Sequence, residues 1–327
     1  MRLIIALRKL AFVGWIALTG FPPHAAADDY PSRPIRVVVP YGPGSLSDTI
    51  VRSLGALMST ELGVPFVIEN KPGANTFLGL GAASTAKPDG YTLALTTVTT
   101  DVINPLAYRK LPYDNDSLAP LAVIASSPII FLVPKDMKAE TMSDFVALAK
   151  SDAGGLNYGS TGQASSNRVV TEKLLSEAGI RMVNVPFADS SPIHTAMMRG
   201  DVHFYADVAT SALPRVKAGQ LKALAIASPE RLSAFPGVRT TAESGYPGYQ
   251  MSVWYGLRIP ANTPADRVAK LTRAINNGLA DAAFRQQFES RGMVVSTRTG
   301  PAEMAQIITD DRKRWGAMLA PLNIVLD

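Results

Sequence analysis

The sequence predicts an α/β protein of two lobes, each a mostly parallel sheet flanked by helices, joined by two crossing strands. Three observations lead there. Short β-branched or apolar runs alternate with helical ones along nearly the whole chain, the pattern of strands linked by helices. Turn chemistry punctuates the alternation, as at Lys71-Pro72-Gly73 and Lys87-Pro88-Asp89-Gly90. Two longer apolar segments, 121–133 and 251–260, end in proline-bearing turns and read as crossings, with a self-contained α/β unit between them.

Element by element, strands are expected at 35–39, 66–69, 92–95, 121–125, 129–133, 182–185, 202–206, 221–227 and 253–259, with helices between most of them. Ile50, Leu54, Leu57 and Met58 recur at helical spacing directly after the first strand. Gly63 and Gly179 stand where helices should stop, and Thr141 with Asp144 opens another helix. The expected division is 28–126 with 253–327 as one lobe and 127–252 as the other. Three hundred residues exceed the size at which one core usually keeps growing, which also argues for two units.

The first 27 residues stand apart from the fold. Arg2, Arg8 and Lys9 precede an apolar run over 10–18 and then Ala25-Ala26-Ala27, the layout of a secretory signal peptide. Its removal takes three basic and no acidic side chains, so the net charge falls from +5 to +2. Near-balanced charge with scattered Lys and Arg gives no reason to expect nucleic acid as a partner. With no cysteine, thiol nucleophiles, disulfides and zinc-thiolate sites are excluded. No His/Asp/Glu cluster has metal-ligand spacing, and neither a metal nor another cofactor is expected.

The strongest local signal is Val37-Val38-Val39-Pro40-Tyr41-Gly42-Pro43-Gly44-Ser45-Leu46-Ser47-Asp48, a buried strand running through a Gly/Pro/Ser loop into a helix. Glycines let backbone amides approach a ligand closely, and a helix start adds unpaired donors and the positive end of a dipole. A carboxylate or phosphate is favoured there without any lysine or arginine. A second copy follows, in which Leu156-Asn157-Tyr158 leads into Gly159-Ser160-Thr161-Gly162-Gln163-Ala164-Ser165-Ser166 and then the apolar helix face of Val169, Val170, Leu174 and Leu175. Ser47 or Asp48 has a plainer reading as a helix cap.

These residues, with several further segments, resemble the Bug-type extracytoplasmic solute receptors, the binding components of tripartite tricarboxylate transporters. The segments include Pro31-Ser32-Arg33-Pro34-Ile35-Arg36, Val67-Ile68-Glu69-Asn70-Lys71-Pro72-Gly73-Ala74, Lys87-Pro88-Asp89-Gly90-Tyr91, Leu111-Pro112-Tyr113-Asp114, Ser211-Ala212-Leu213-Pro214 and Trp254-Tyr255-Gly256-Leu257. The resemblance implies a type II periplasmic binding protein fold, a monomer that closes on a small carboxylated organic solute and hands it to membrane permease subunits. It places the grip at Tyr41, Gly42, Gly44, Ser45, Ser47 and Asp48 in the first loop and at Ser160, Thr161, Gly162 and Ser165 in the second. It adds Thr97 and Thr99 from the run Thr96-Thr97-Val98-Thr99-Thr100, and Asp207 after the expected strand 202–206.

Departures from the family pattern bear on specificity. Its usual Pro-Gly-Gly is Pro43-Gly44-Ser45 here, its second loop has Ala164 for a glycine, and a common histidine is Arg168. The frequent Tyr-Lys-Gly is Phe187-Ala188-Asp189, which makes that wall more negative and points to a monocarboxylate or a solute with a neutral or amino far end. Plainer readings stand beside these: Arg168 as a partner of Glu172, Asp207 as a turn cap, Trp254 and Tyr255 as core, Asp189 as solvated. Two alternatives complete the expectation. A secreted hydrolase lacks support because Gly159-Ser160-Thr161-Gly162 is not a nucleophile elbow and neither His194 nor His203 stands beside one. A receptor that presents its ligand to a sensor reads the same as one that feeds a permease.

Overall fold

The computed structural model describes residues 29–327 apart from 74, 75, 153, 154, 163, 164, 188, 323–325 and 327. The expected signal peptide, Ala164 and Ala188 lie outside the described residues.

In chain order the elements are strand β1 (Ile35–Val39), helix α1 (Leu46–Leu62), β2 (Phe66–Asn70), α2 (Phe77–Ser84), β3 (Thr92–Thr97), a π-helical turn (Thr99–Ile103) and α3 (Asn104–Ala107). Then come β4 (Leu118–Pro134), α4 (Met142–Ser151), β5 (Asn157–Ser160), α5 (Ser166–Ala178), β6 (Val183–Pro186), α6 (Ser190–Arg199), β7 (Tyr205–Val208), α7 (Ala209–Lys217) and β8 (Leu221–Ile226). The chain ends with β9 (Ser252–Pro260), α8 (Ala265–Ala280), α9 (Ala282–Glu289), β10 (Val294–Val295) and α10 (Pro301–Leu319).

Strand β4 organises the molecule. It is 17 residues long, about 56 Å when extended. Its first part lies in the order β10-β4-β9-β3-β1-β2, and its last residues pair with β7 and β8 instead. Pro128 sits at the changeover, opposite Ser252 at the end of the β9 ladder, where a missing N–H costs least. Both expected crossings are therefore present, as β4 and β9, paired antiparallel to each other. Among the described strands, parallel ladders are confined to β2-β1-β3 and β5-β6, because the crossing strands enter the sheet antiparallel.

The three largest apolar clusters among the described residues follow from this layout. One packs β1, β3 and the near part of β4 against α1, α8 and α9, and another packs the far part of β4 against α6 and α7. The third spans both halves: Val98 and Val102 share it with Phe131, Tyr158 and Phe204, and α10 contributes Met304, Ile308 and Trp315. Trp254 is core, as its plainer reading had it, and its indole N–H donates to the buried Asp311 at 2.8 Å.

Two local differences have clear causes. The expected strand 202–206 begins later, at Tyr205, because Gly200 terminates α6 in a left-handed conformation and Phe204 makes only an isolated bridge to Tyr158. Asp207 thus lies inside β7 and not after it. Thr99 opens a π-helical turn, a wound segment where the sequence reads only as a hydroxyl-rich loop.

Candidate functional site

The first loop joins the end of β1 to the start of α1, and its own side chains hold it. Ser45 is the N-cap, its hydroxyl accepting the Asp48 N–H. The Asp48 carboxylate is 3% exposed and accepts from the Gly44 amide at 2.9 Å, Arg52 Nε at 2.9 Å and Asn70 Nδ2 at 2.9 Å. Asn70, delivered by β2 opposite Val39, also donates to the Tyr41 carbonyl. Burial pushes the Asp48 carboxyl up, but the bonds from Arg52, Gly44 and Asn70 outweigh it and hold the group below its ordinary value. Gly44 takes φ +76° with nothing within 4 Å of a Cβ.

The second loop has a clamp of a different kind. Asn167, in the first turn of α5, accepts from the Thr161 amide at 3.2 Å and the Ser165 hydroxyl at 2.6 Å. Its amide nitrogen donates to the Thr161 hydroxyl at 2.9 Å and the Tyr205 hydroxyl at 3.1 Å. The network continues through Ser190, which meets the Tyr205 hydroxyl at 2.7 Å and donates to Asp207 at 3.2 Å. Asp207 also accepts the Val208 amide and faces the buried His194 at 2.7 Å. The Ser160 hydroxyl is buried and has no hydrogen-bond partner among the described residues.

Tyr41 and Thr97 come together, their hydroxyls 3.0 Å apart. Burial pushes the Tyr41 hydroxyl up to about 12, the bond to Thr97 opposing and Asp101 adding to it. Thr100 accepts the Thr97 amide and donates to the Thr97 carbonyl and to Asp101. Asp101 is 1% exposed, 3.6 Å from the Arg258 guanidinium. Burial raises its carboxyl, and the Arg258 charge only partly offsets this.

The structure therefore sorts the residues singled out from sequence. Tyr41, Gly42, Gly44, Ser45 and Ser47 line one strand-to-helix turn, and Ser160, Thr161, Gly162 and Ser165 the other. Asp48 and Asp207 each have both carboxylate oxygens hydrogen-bonded to neighbouring groups, which ties them into the two loops. Arg168 takes its plainer reading, its Nε 3.9 Å from Glu172. Asp189 is exposed and caps α6, accepting the Ser190 amide. Sequence reasoning missed Asn70, Asn167, Ser190, Tyr205 and His194. For Asn70 a signal was present, because a residue ending a parallel neighbour strand lies beside the turn that leaves the first.

Ser190, His194 and Asp207 are the residue types of a hydrolytic triad without its geometry. Both Ser190 and His194 address Asp207, and among the described residues no imidazole is hydrogen-bonded to the Ser190 hydroxyl.

The sequence pattern of the tripartite tricarboxylate transporter family receptor, TctC, matches residues 50–324. The chain belongs to this receptor family. A relative from Bordetella pertussis, one of the UPF0065 proteins, is 32% identical over 97% of each chain. Among solved structures, MatC from Rhodopseudomonas palustris with bound malate is 31% identical, with a TM-score of 0.75 over 89% of this chain and 100% of that one. R. palustris Rpa4515 with adipate is 26% identical, with a TM-score of 0.80 over 91% and 99%. The TctC family comprises solute-binding receptors with the two-lobed periplasmic binding protein fold, as the resemblance implied. No described helix of this receptor is long and apolar enough to cross a membrane.

Proposed function

We propose that this chain is a periplasmic receptor that binds a small carboxylate-bearing organic solute between loops 42–48 and 160–166 and delivers it to the membrane permease subunits of a tripartite transporter. The observation that carries the reading is the pair of helix starts, α1 and α5, each behind a loop clamped by its own side chains. The first N–H groups of a helix have no intrahelical acceptor, so Leu46 and Ser47, and Ser166 and Asn167, offer donors to an anion. Ser45, Thr161 and Ser165 add hydroxyls, with Tyr41, Thr97 and Thr99 beside them.

Malate in MatC and adipate in Rpa4515 support a carboxylate as the solute class. On this reading Asp189, exposed at the start of α6, belongs to the wall of the cleft. That negative charge disfavours a second or third carboxylate and supports a monocarboxylate, or one bearing a neutral or amino far end. The lobes divide near 126 and 253, solute favours their closure about β4 and β9, and the receptor acts as a monomer without catalysis.

Thermal unfolding of the chain, stripped of carried-over ligand by unfolding and refolding, tests this against mono-, di- and tricarboxylates, amino acids and aromatic acids. A solute at 100 times its Kd adds about 2.7 kcal/mol, a shift of a few degrees for a chain of this size. A shift confined to carboxylates with one anionic end is the expected result. A shift with citrate alone contradicts the specificity, and no shift with any acid contradicts the receptor reading.

A further inference from the structure

Among the described residues seven tyrosines are buried: Tyr30, Tyr91, Tyr113, Tyr158, Tyr205, Tyr249 and Tyr255. Five have hydroxyl partners, namely Gly90 for Tyr30, Ser32 for Tyr91, Glu172 for Tyr158, Ser190 for Tyr205 and Val170 for Tyr249. A buried phenol ordinarily finds one. The Tyr113 hydroxyl has none among the described residues and is sealed within the protein. Tyr255 differs from all of these. Its ring is 7% exposed and its hydroxyl has no hydrogen-bond partner among the described residues, yet that oxygen is not among the sealed ones. The ring is buried and its tip is open.

Register says where the tip opens. Tyr255 lies on crossing strand β9, opposite Thr97 of β3 and Ala125 of β4. Directly opposed residues share a face of the sheet, and Thr97 holds the Tyr41 hydroxyl. Tyr41, Ala125 and Tyr255 belong to one cluster. After burial, the neighbours that most oppose ionisation of the Tyr255 hydroxyl are Tyr41, at the first loop, and Asp207, behind the second. The tip therefore stands between the two halves of the site. Both of those neighbours are already engaged, Tyr41 by Thr97 and Asp207 by Ser190, Val208 and His194.

We propose that the Tyr255 hydroxyl is a third solute contact, a donor supplied from the floor between the lobes and not from either loop, which selects solutes whose carboxylate or other acceptor reaches that floor. The inference rests on the receptor reading above. It makes Tyr255 a specificity residue: β9 is paired to β4 along its length and to β3 from Tyr255 to Arg258, so the contact does not depend on loop position, and a solute too short to reach β9 loses it.

The test compares the wild-type chain with Tyr255→Phe, and with Tyr30→Phe as a control far from the site, by isothermal titration with the carboxylate that gives the largest thermal shift. A lost hydrogen bond to a charged acceptor weakens binding about 10- to 100-fold. That loss in Tyr255→Phe, with Tm unchanged because no internal bond is removed, and with Tyr30→Phe binding as wild type, is the expected result. Equal affinity in Tyr255→Phe overturns the inference and leaves the receptor reading standing. A wild-type chain that binds no carboxylate overturns the receptor reading and the inference with it. Should Tyr255→Phe fail to fold, wild-type chain with ring-labelled tyrosine gives the same decision by NMR: a buried tyrosine resonance that moves on solute addition supports the contact, and none moving overturns it.

Discussion

The two loops share a plan and differ in what holds them. Each leaves a strand, turns through a glycine with positive φ and starts a helix, and each has an amide fixed by a side chain of the helix it precedes. In the first, that side chain is the carboxylate of Asp48, neutralised by the half-exposed Arg52. In the second it is the neutral amide of Asn167. A charged clamp binds its donors more strongly but responds to acid, and a neutral clamp does not titrate. The same cradle is thus built once with a pH-sensitive part and once without.

The comparison breaks most visibly when the charged clamp is removed. Asp48→Ala leaves the Gly44 amide without its acceptor, removes one of the acceptors of Asn70 and of Arg52, and should cost about 2–3 kcal/mol, read by urea unfolding, since the acid side is buried while Arg52 can turn to water. Asn167→Ala frees the Thr161 amide and leaves the Ser165 hydroxyl only the Gly162 carbonyl, both neutral groups at the edge of solvent, and should cost about 1–2 kcal/mol by the same measurement. A larger loss for Asn167→Ala than for Asp48→Ala would reverse the ranking and with it the role given to charge.

Acid titration sharpens the contrast. The folded value of Asp48 lies below its unfolded one, so its stabilisation is complete above the ordinary carboxyl value of 3.8 and is lost as pH falls through the lowered value. Asp101, a few residues past the Tyr41 partner Thr97, runs the other way. Its folded value is raised, so the fold prefers it protonated and loses stability as pH rises past 3.8 toward that raised value. Plots of Tm against pH should therefore lose part of their acid limb in Asp48→Asn, whereas Asp101→Asn should gain stability at neutral pH. A neutral-pH loss in Asp101→Asn would mean that the Arg258 pair outweighs the burial cost.

The smallest effect belongs to the turn itself. Gly44 adopts φ +76° in open space, so Gly44→Ala meets no clash and should cost about 1 kcal/mol from backbone strain alone, measured by thermal unfolding. No loss at all would mean that the loop relaxes to another conformation.

Much of this plan is written locally. Val37-Val38-Val39 before a Gly/Pro/Ser turn and an amphipathic run is enough to read a strand, a loop and a helix start, and the mainly apolar character of 121–133 and 251–260 marks the crossings that form β4 and β9. What stays hidden depends on partners brought from a distance. Asp48 reads as a ligand contact, and the bond it accepts from Asn70, 22 residues on, is invisible in the sequence. The same holds for Asp207 and its contact with His194 from α6. The late start of β7 is hidden for a related reason: the apolar run 202–206 has strand character, but the chain is still leaving the α6 cap there. Tyr255 reads as core because a crossing strand is apolar on both sides of it, and only its open hydroxyl sets it apart.

The measurement that most directly tests a grip shared by two loops is isothermal titration of one carboxylate into wild type, Asp48→Asn and Asn167→Ala, each first shown to be folded. Displacement of either cradle should weaken binding by about tenfold or more, because each presents donors that the other cannot replace. Affinity that falls in both variants is the predicted result. Affinity unchanged in either one would mean that the solute is held from a single side, and would contradict the account.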